Sequence, residues 1–168
     1  EQIRAKKPGQ TALHFHHTID RKTYFEDTDG FWRLFNYIPS DSCVDMDLDA
    51  IHNAGEAFGE FQMQLSDFDP AQLYETILNF HNTPWRYEKL EEDAKADPLG
   101  RVAQVREELE YLRSIRDKAC VLTNLYRQGA LPLRVTHNDT KINNVLFDQE
   151  TKRALVVIDL DTVMPGVV

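Results

Sequence analysis

Two stretches near the C-terminal end hold residue types that can do chemistry together. The first is His137-Asn138-Asp139-Thr140-Lys141-Ile142-Asn143-Asn144, with the spacing H-x-D-x-K-x-x-N; the second is Val156-Val157-Ile158-Asp159-Leu160-Asp161, an apolar run ending on acids. Phosphoryl transfer needs a carboxylate to orient an attacking hydroxyl and accept its proton, and oxygen ligands to hold magnesium on nucleotide phosphates. This spacing supplies both. Asp139 is the candidate base, Asn144 offers an amide oxygen and Asp159 a hard carboxylate to Mg²⁺. Lys141 can set a positive charge against the transferring phosphoryl group. Singly, each of these residues is ordinary in a turn between strands. The set is distinguished by its order and flanks, since one apolar strand leads into the His-x-Asp loop, another starts at Asn144 and a third ends at Asp159.

The scaffold for these residues is legible in the hydrophobic period. Leu133 to Val135, Asn144 to Phe147 and Ala154 to Ile158 read as strands, with a polar turn from Asp148 to Lys152. Upstream, Val102, Val105, Leu109, Leu112, Ile115, Ala119, Leu122 and Tyr126 keep helical spacing and predict one long helix closed by Gly129. A shorter helix is expected near Trp85 to Ala96. Leu48, Ile51, Ala54, Gly55, Phe58, Phe61 and Leu65 predict a helix with one apolar stripe, capped by Asp47 or Asp45. At the front, Ala12 to Ile19, Lys22 to Phe25 and Phe31 to Ile38 are bounded by Asp/Gly turns and predict antiparallel strands. Pro165-Gly166 reads as a turn. Strands at both ends with helices between them make an α+β chain.

Composition narrows the partners. With 28 acidic against 19 basic residues the formal charge is −9, which repels a phosphate backbone and disfavours nucleic acid. No apolar run is long enough for a bilayer, and Glu1 to Gln10 is charged where a signal peptide would be apolar, so a cytoplasmic protein without a membrane partner is expected. Cys43 and Cys120 stand too far apart for a ligand set and read as buried small hydrophobes in a reducing compartment. His14, His16 and His17 lack matching cysteine or acidic ligands and read as exposed strand histidines. The acids Asp45, Asp47, Asp49 and Glu56 outline a calcium loop, but Ala50 replaces the turn glycine and the helical period favours acids at a helix N-terminus. Glu88 to Asp97 reads as a solvated helix face.

The stretches Leu133 to Phe147 and Val157 to Gly166 resemble the aminoglycoside phosphotransferase and choline kinase branch of the protein-kinase-like superfamily. Together with Phe80-His81-Asn82-Thr83-Pro84-Trp85-Arg86 they look more narrowly like the bacterial N-acetylhexosamine kinases, some of whose relatives carry the label mucin desulfatase. Neither cysteine sits in a Cys-x-Pro-x-Arg context, so sulfatase chemistry is not expected. The resemblance implies ATP and Mg²⁺ as cofactors, Asp139 as base, Asn144 and Asp159 as metal ligands with Asp161 in reserve, and a bracing role for His137. It implies an amino sugar whose anomeric hydroxyl takes the γ-phosphate. Aminoglycosides, choline-like alcohols and homoserine are the rival acceptors, and a non-catalytic kinase-like binding module is the rival class.

By the same resemblance, Phe31 to Ile38 is the last strand of a kinase N-lobe running into the hinge, with Asn36, Tyr37 and Ile38 facing adenine. Residues 1–38 would then be the end of the N-lobe, and 39–168 the first part of a helical C-lobe. The expectation is a fragment of a bilobal enzyme, inactive by itself. Gly9 stands alone, and Lys6-Lys7 lie in a polar opening where the family would have a glycine-rich loop and a strand lysine. Nothing in the sequence predicts the oligomeric state.

Overall fold

A computed structural model describes residues 2–6, 9, 11–41 and 47–167. Cys43, Asp45 and Lys7 lie outside the described residues, and with them the expectations placed on those positions. The chain is α+β and divides into two compact units, Glu1–Phe68 with Asp139–Thr162, and Asp69–Asn138 with Val163–Val168.

The first unit begins with the short helix α1 (Gln2–Lys6) and a hairpin of β1 (Phe25–Asp27) and β2 (Gly30–Trp32). Asp27 organises the hairpin turn. Its Oδ1 accepts from Asp29 N at 2.9 Å, Gly30 N at 3.1 Å and Trp32 Nε1 at 3.0 Å, and these bonds, the indole's foremost, hold its carboxyl below the usual range. The predicted outer strands are reduced to a bridge between Phe15 and Phe35, flanked by His16 N to Leu34 O at 2.8 Å and Asn36 N to His14 O at 3.1 Å. The antiparallel pairing is as expected, but it is shorter.

Helix α2 (Leu48–Gln64) starts at Asp47, whose side chain accepts from Ala50 N at 2.7 Å. Its buried face is Ala50, Ala54, Phe58, Phe61 and Gln64, while Leu48 and Ile51 are exposed. The expected stripe is therefore corrected: its first turn is rotated outward, with Ala50 facing in. Helix α2 packs against β5 (Ala154–Val157), which pairs antiparallel with β4 (Val145–Phe147) in the register Val145 to Val157. Val145 and Phe147 are fully buried, and burying a side chain of this size contributes about 2–3 kcal/mol. The 148–152 turn forms as expected, with Asp148 accepting from the Thr151 backbone and hydroxyl.

The second unit carries α3 (Thr83–Ala96), capped by Asn82 with Pro84 in its first turn. The expected long helix from Val102 to Tyr126 is corrected. It is broken into a 3-10 turn at Val102–Gln104, then α4 (Arg106–Ser114), α5 (Arg116–Ala119) and α6 (Val121–Arg127). Its expected stripe is largely uncovered: Leu109 is buried, but Val105, Leu122 and Tyr126 are exposed. Gly129 ends α6 at φ +76°, with Gly129 N bonded to Tyr126 O at 2.8 Å and Ala130 N to Leu125 O at 2.9 Å. These two bonds form a Schellman motif, as the glycine predicts. Tyr87 and Cys120 are buried, and Tyr87 donates its hydroxyl to Leu112 O at 2.9 Å. Glu91 of the acidic run is not merely solvated, since Arg113 grips it at 2.7 and 2.8 Å.

Pro165-Gly166 is also corrected. It lies in a strand, β6 (Met164–Gly166), which pairs antiparallel with β3 (Arg134–Thr136) in the register Thr136 to Met164 and Arg134 to Gly166. Glycine is required by proximity. A Cβ at Gly166 would collide with Thr136 Oγ1 and stand 3.0 Å from Asn138 Oδ1.

Candidate active site

The residues singled out by spacing are delivered by the β4–β5 hairpin and the loop before it. Residues Ile142–Asn144 form a 3-10 turn, closed by Asn144 N donating to Lys141 O at 3.0 Å, and the chain passes directly into β4. One step beyond the paired strands, Ile158 N donates to Asn144 O at 2.8 Å. Asn144 and Asp159, fifteen positions apart in sequence, are thereby placed at the same end of the hairpin. Asp159 leaves β5 at φ +59°, a left-handed conformation that aspartate tolerates better than branched residues do.

Asp139, Lys141, Asn144 and Asp159 form one polar cluster inside the first unit. Asn144 is 3% exposed, and its Nδ2 donates to the Asp139 backbone oxygen at 2.8 Å and to Asp139 Oδ2 at 2.9 Å. With the amide nitrogen spent on Asp139, Oδ1 is the side-chain atom left for a cation. Lys141 Nζ donates to Asp139 Oδ2 at 2.6 Å and lies 4.0 Å from Asp159 Oδ2. The bond to Asp139, reinforced by the charges of Asp139 and Asp159, raises the Lys141 pKa. An amide oxygen and a carboxylate oxygen at one hairpin end are donors of the hard kind that Mg²⁺ takes, usually alongside water and nucleotide phosphates. The donor set fits.

Asp161 is engaged elsewhere. Arg33, which follows β2, grips it with Nη1 to Oδ1 at 2.6 Å and Nη2 to Oδ2 at 2.8 Å. The guanidinium holds the Asp161 carboxyl below its ordinary range, and the carboxylate raises Arg33 in turn. Sequence reasoning missed Arg33, because nothing local marks its partner 128 positions away.

In the second unit, β3 runs into His137, which is 1% exposed, and then Asn138 at φ +65°. Asn138 Oδ1 accepts from Thr136 Oγ1 at 2.9 Å, and Nδ2 donates to Thr136 O at 3.2 Å and Met164 O at 3.4 Å. His81 Nε2 reaches the Asn138 carbonyl oxygen at 2.6 Å. His81 was legible as part of a motif but not as a contact of this loop.

The expected hinge residues lie in the first unit, directly after Phe35, and the Asn36 N–H makes one of the two bonds of the Phe15–Phe35 bridge. Asn36 is half-buried and accepts His14 N on Oδ1 at 2.6 Å, Tyr37 is exposed, and Ile38 is buried with its carbonyl taking the Ser40 hydroxyl at 3.0 Å. His14 and His16 meet edge to face at 4.9 Å.

An α+β chain with an H-x-D-x-K-x-x-N loop and a strand-end acid at the same hairpin is the arrangement of kinase-like phosphotransferases. The model of the phosphotransferase enzyme family matches residues 12–168, and the chain belongs to that family. Phosphoryl transfer is accordingly the class of reaction, and kinases of the family generally use ATP and Mg²⁺. No helix among the described residues is long and apolar enough to cross a membrane.

Proposed function

We propose that these residues belong to an ATP- and Mg²⁺-dependent small-molecule kinase that phosphorylates an alcohol, the anomeric hydroxyl of an N-acetylhexosamine. The observation that carries the reading is the single cluster of Asp139, Lys141, Asn144 and Asp159, tied by contacts of 2.6, 2.9 and 4.0 Å and by the Ile158 N to Asn144 O bond. The sugar preference rests on the likeness of residues 80–86 and 133–166 to N-acetylhexosamine kinases. In this reading residues 1–38 close an N-lobe, 39–168 begin a C-lobe, and Asn36, Tyr37 and Ile38 face the adenine. The protein acts in the cytoplasm on a small molecule.

When bound, Mg·ATP supplies the phosphoryl group and neutralises its charge. The chain's residues do the rest. Asn144 through Oδ1 and Asp159 through its carboxylate hold the cation. Asp139 orients the acceptor hydroxyl and takes its proton as that oxygen attacks the γ-phosphorus, while the bond from phosphorus to the β,γ-bridging oxygen breaks and ADP leaves. Asn144 Nδ2 and Lys141 fix the Asp139 carboxylate, and Lys141 sets its positive charge near the transferring group.

The test is an acceptor panel with radiolabelled ATP, run on the chain together with whatever flanking sequence its reading frame supplies. N-acetylhexosamines should be labelled at the anomeric oxygen; label on an aminoglycoside, choline-like alcohol or homoserine instead would reassign the acceptor. Asp139→Asn should lower kcat by about 10²–10⁴-fold, the usual worth of a general base, with nucleotide affinity little changed. Turnover close to wild type would remove Asp139 as the base, and no labelling of any acceptor would favour the binding-module alternative.

A further inference from the structure

The 2.6 Å contact between His81 Nε2 and the Asn138 carbonyl oxygen has a fixed polarity. A carbonyl only accepts, so Nε2 carries the proton and donates. This carbonyl belongs to the peptide unit whose nitrogen is that of Asp139. Because the peptide is planar, holding its oxygen also sets the direction in which the chain enters Asp139. Asn138 takes a left-handed φ of +65°, a turn of the backbone that asparagine tolerates and that redirects the chain just before Asp139. The bonds from Asn138 to Thr136 and Met164 fix its side chain, and the His81 bond fixes the peptide oxygen.

The stretch around His81 is built as a mount for that imidazole. Arg86 Nε donates to Phe80 O at 2.8 Å and its guanidinium lies 5.9 Å over the Phe80 ring. The Phe80 ring in turn stands 4.5 Å from the His81 ring. Asn82 accepts from Trp85 N at 3.4 Å and Thr83 N donates to His81 O at 2.9 Å, so the helix start itself anchors the residue. Pro84 pre-sets the first turn. Phe80 to Arg86 is thus a rigid bracket whose free end is one N–H aimed at the backbone next to Asp139.

We infer that His81 is a positioning residue: it clamps the Asn138–Asp139 peptide and so fixes the backbone from which the Asp139 side chain springs. This rests on the reading of Asp139 as the base. The experiment compares His81→Leu with His81→Gln, whose amide Nε2 can donate from the same reach. In the active full chain, His81→Leu should lower kcat by about 10–100-fold, as small misplacements of reacting groups do, with the KM for Mg·ATP within about twofold of wild type, while His81→Gln recovers most of the loss. Amide exchange over residues 137–141, measured without nucleotide, should rise in the leucine variant and not in the glutamine variant. Unchanged kcat and exchange in His81→Leu, or a glutamine variant no better than leucine, overturns the inference. If His81→Leu does not fold, His81→Asn, a donor of shorter reach, replaces it in both comparisons, and equality of Asn and Gln overturns the inference. The readings separate cleanly: turnover surviving Asp139→Asn removes the base while the exchange result still tests the clamp.

Discussion

Arg33 and Asp161 meet fork to fork at 2.6 and 2.8 Å, so the end of the first hairpin is fastened two residues past the candidate metal acid Asp159. Both side chains are about half exposed, which limits such a pair to about 0.2–1 kcal/mol. Asp161 is depressed in the folded state, chiefly by the Arg33 bond. Its contribution is therefore complete above the ordinary aspartate value and is lost as the pH falls through the lower folded one. Thermal melts of wild type and Arg33→Ala should differ at pH 6 and converge as the pH falls well below the ordinary aspartate value; a gap that persists there would mean the pair acts through packing alone.

With Asp161 held by Arg33, metal binding can separate the roles proposed for the two acids. Asp159→Asn should weaken Mn²⁺ binding, read by the paramagnetic signal of free manganese with nucleotide present, by about tenfold or more, as loss of a charged ligand does. Asp161→Asn should shift it by much less. The reverse order would make Asp161 the ligand and Asp159 the structural partner.

Gly166→Ala drives a methyl into Thr136 Oγ1 and the Asn138 amide. Overpacking of this kind costs about 1–3 kcal/mol. Pairing it with Thr136→Ala removes the atom it strikes, so the double variant should be more stable than the sum of the single losses. Strict additivity in urea melts would show that the strand relaxes around the methyl.

Asp47→Ala removes the acceptor that holds Ala50 N at 2.7 Å. A lost N-cap of this type costs about 1 kcal/mol. The denaturation midpoint should fall with the slope unchanged, and Asp47→Ser should recover most of the loss; a serine variant as weak as alanine would count against the cap.

How far the site could be read beforehand depended on the sequence range of each relation. Asp139, Lys141 and Asn144 sit within six residues, and a hairpin with one polar turn brings Asp159 back beside them, so local spacing and strand period suffice. Arg33 with Asp161 and His81 with Asn138 join segments far apart, and neither end carries a local mark of its partner. Pro165-Gly166 misled for a chemical reason: proline and glycine signal turns, yet here the glycine admits a close neighbour and the proline occupies a short two-stranded pairing. The helix from Val102 onward breaks near Ile115 and Cys120, where no proline or glycine warns of it. In α2, small Ala50 faces in while the larger Leu48 and Ile51 face out, the opposite of what ranking by hydrophobicity implies.

Asn138 and Asp159 share left-handed backbone, and that shape constrains inheritance as well as chemistry. A lineage that abandoned phosphoryl transfer would be free to discard the Asp159 carboxylate but not the turn that carries it. Single-base changes from an aspartate codon reach asparagine and glycine, the two residues that accept this conformation at least cost, and also histidine, alanine, glutamate, valine and tyrosine, which accept it less readily, the β-branched valine least. Decayed copies of such a gene should therefore come to rest on Asn or Gly at this position, folded and silent.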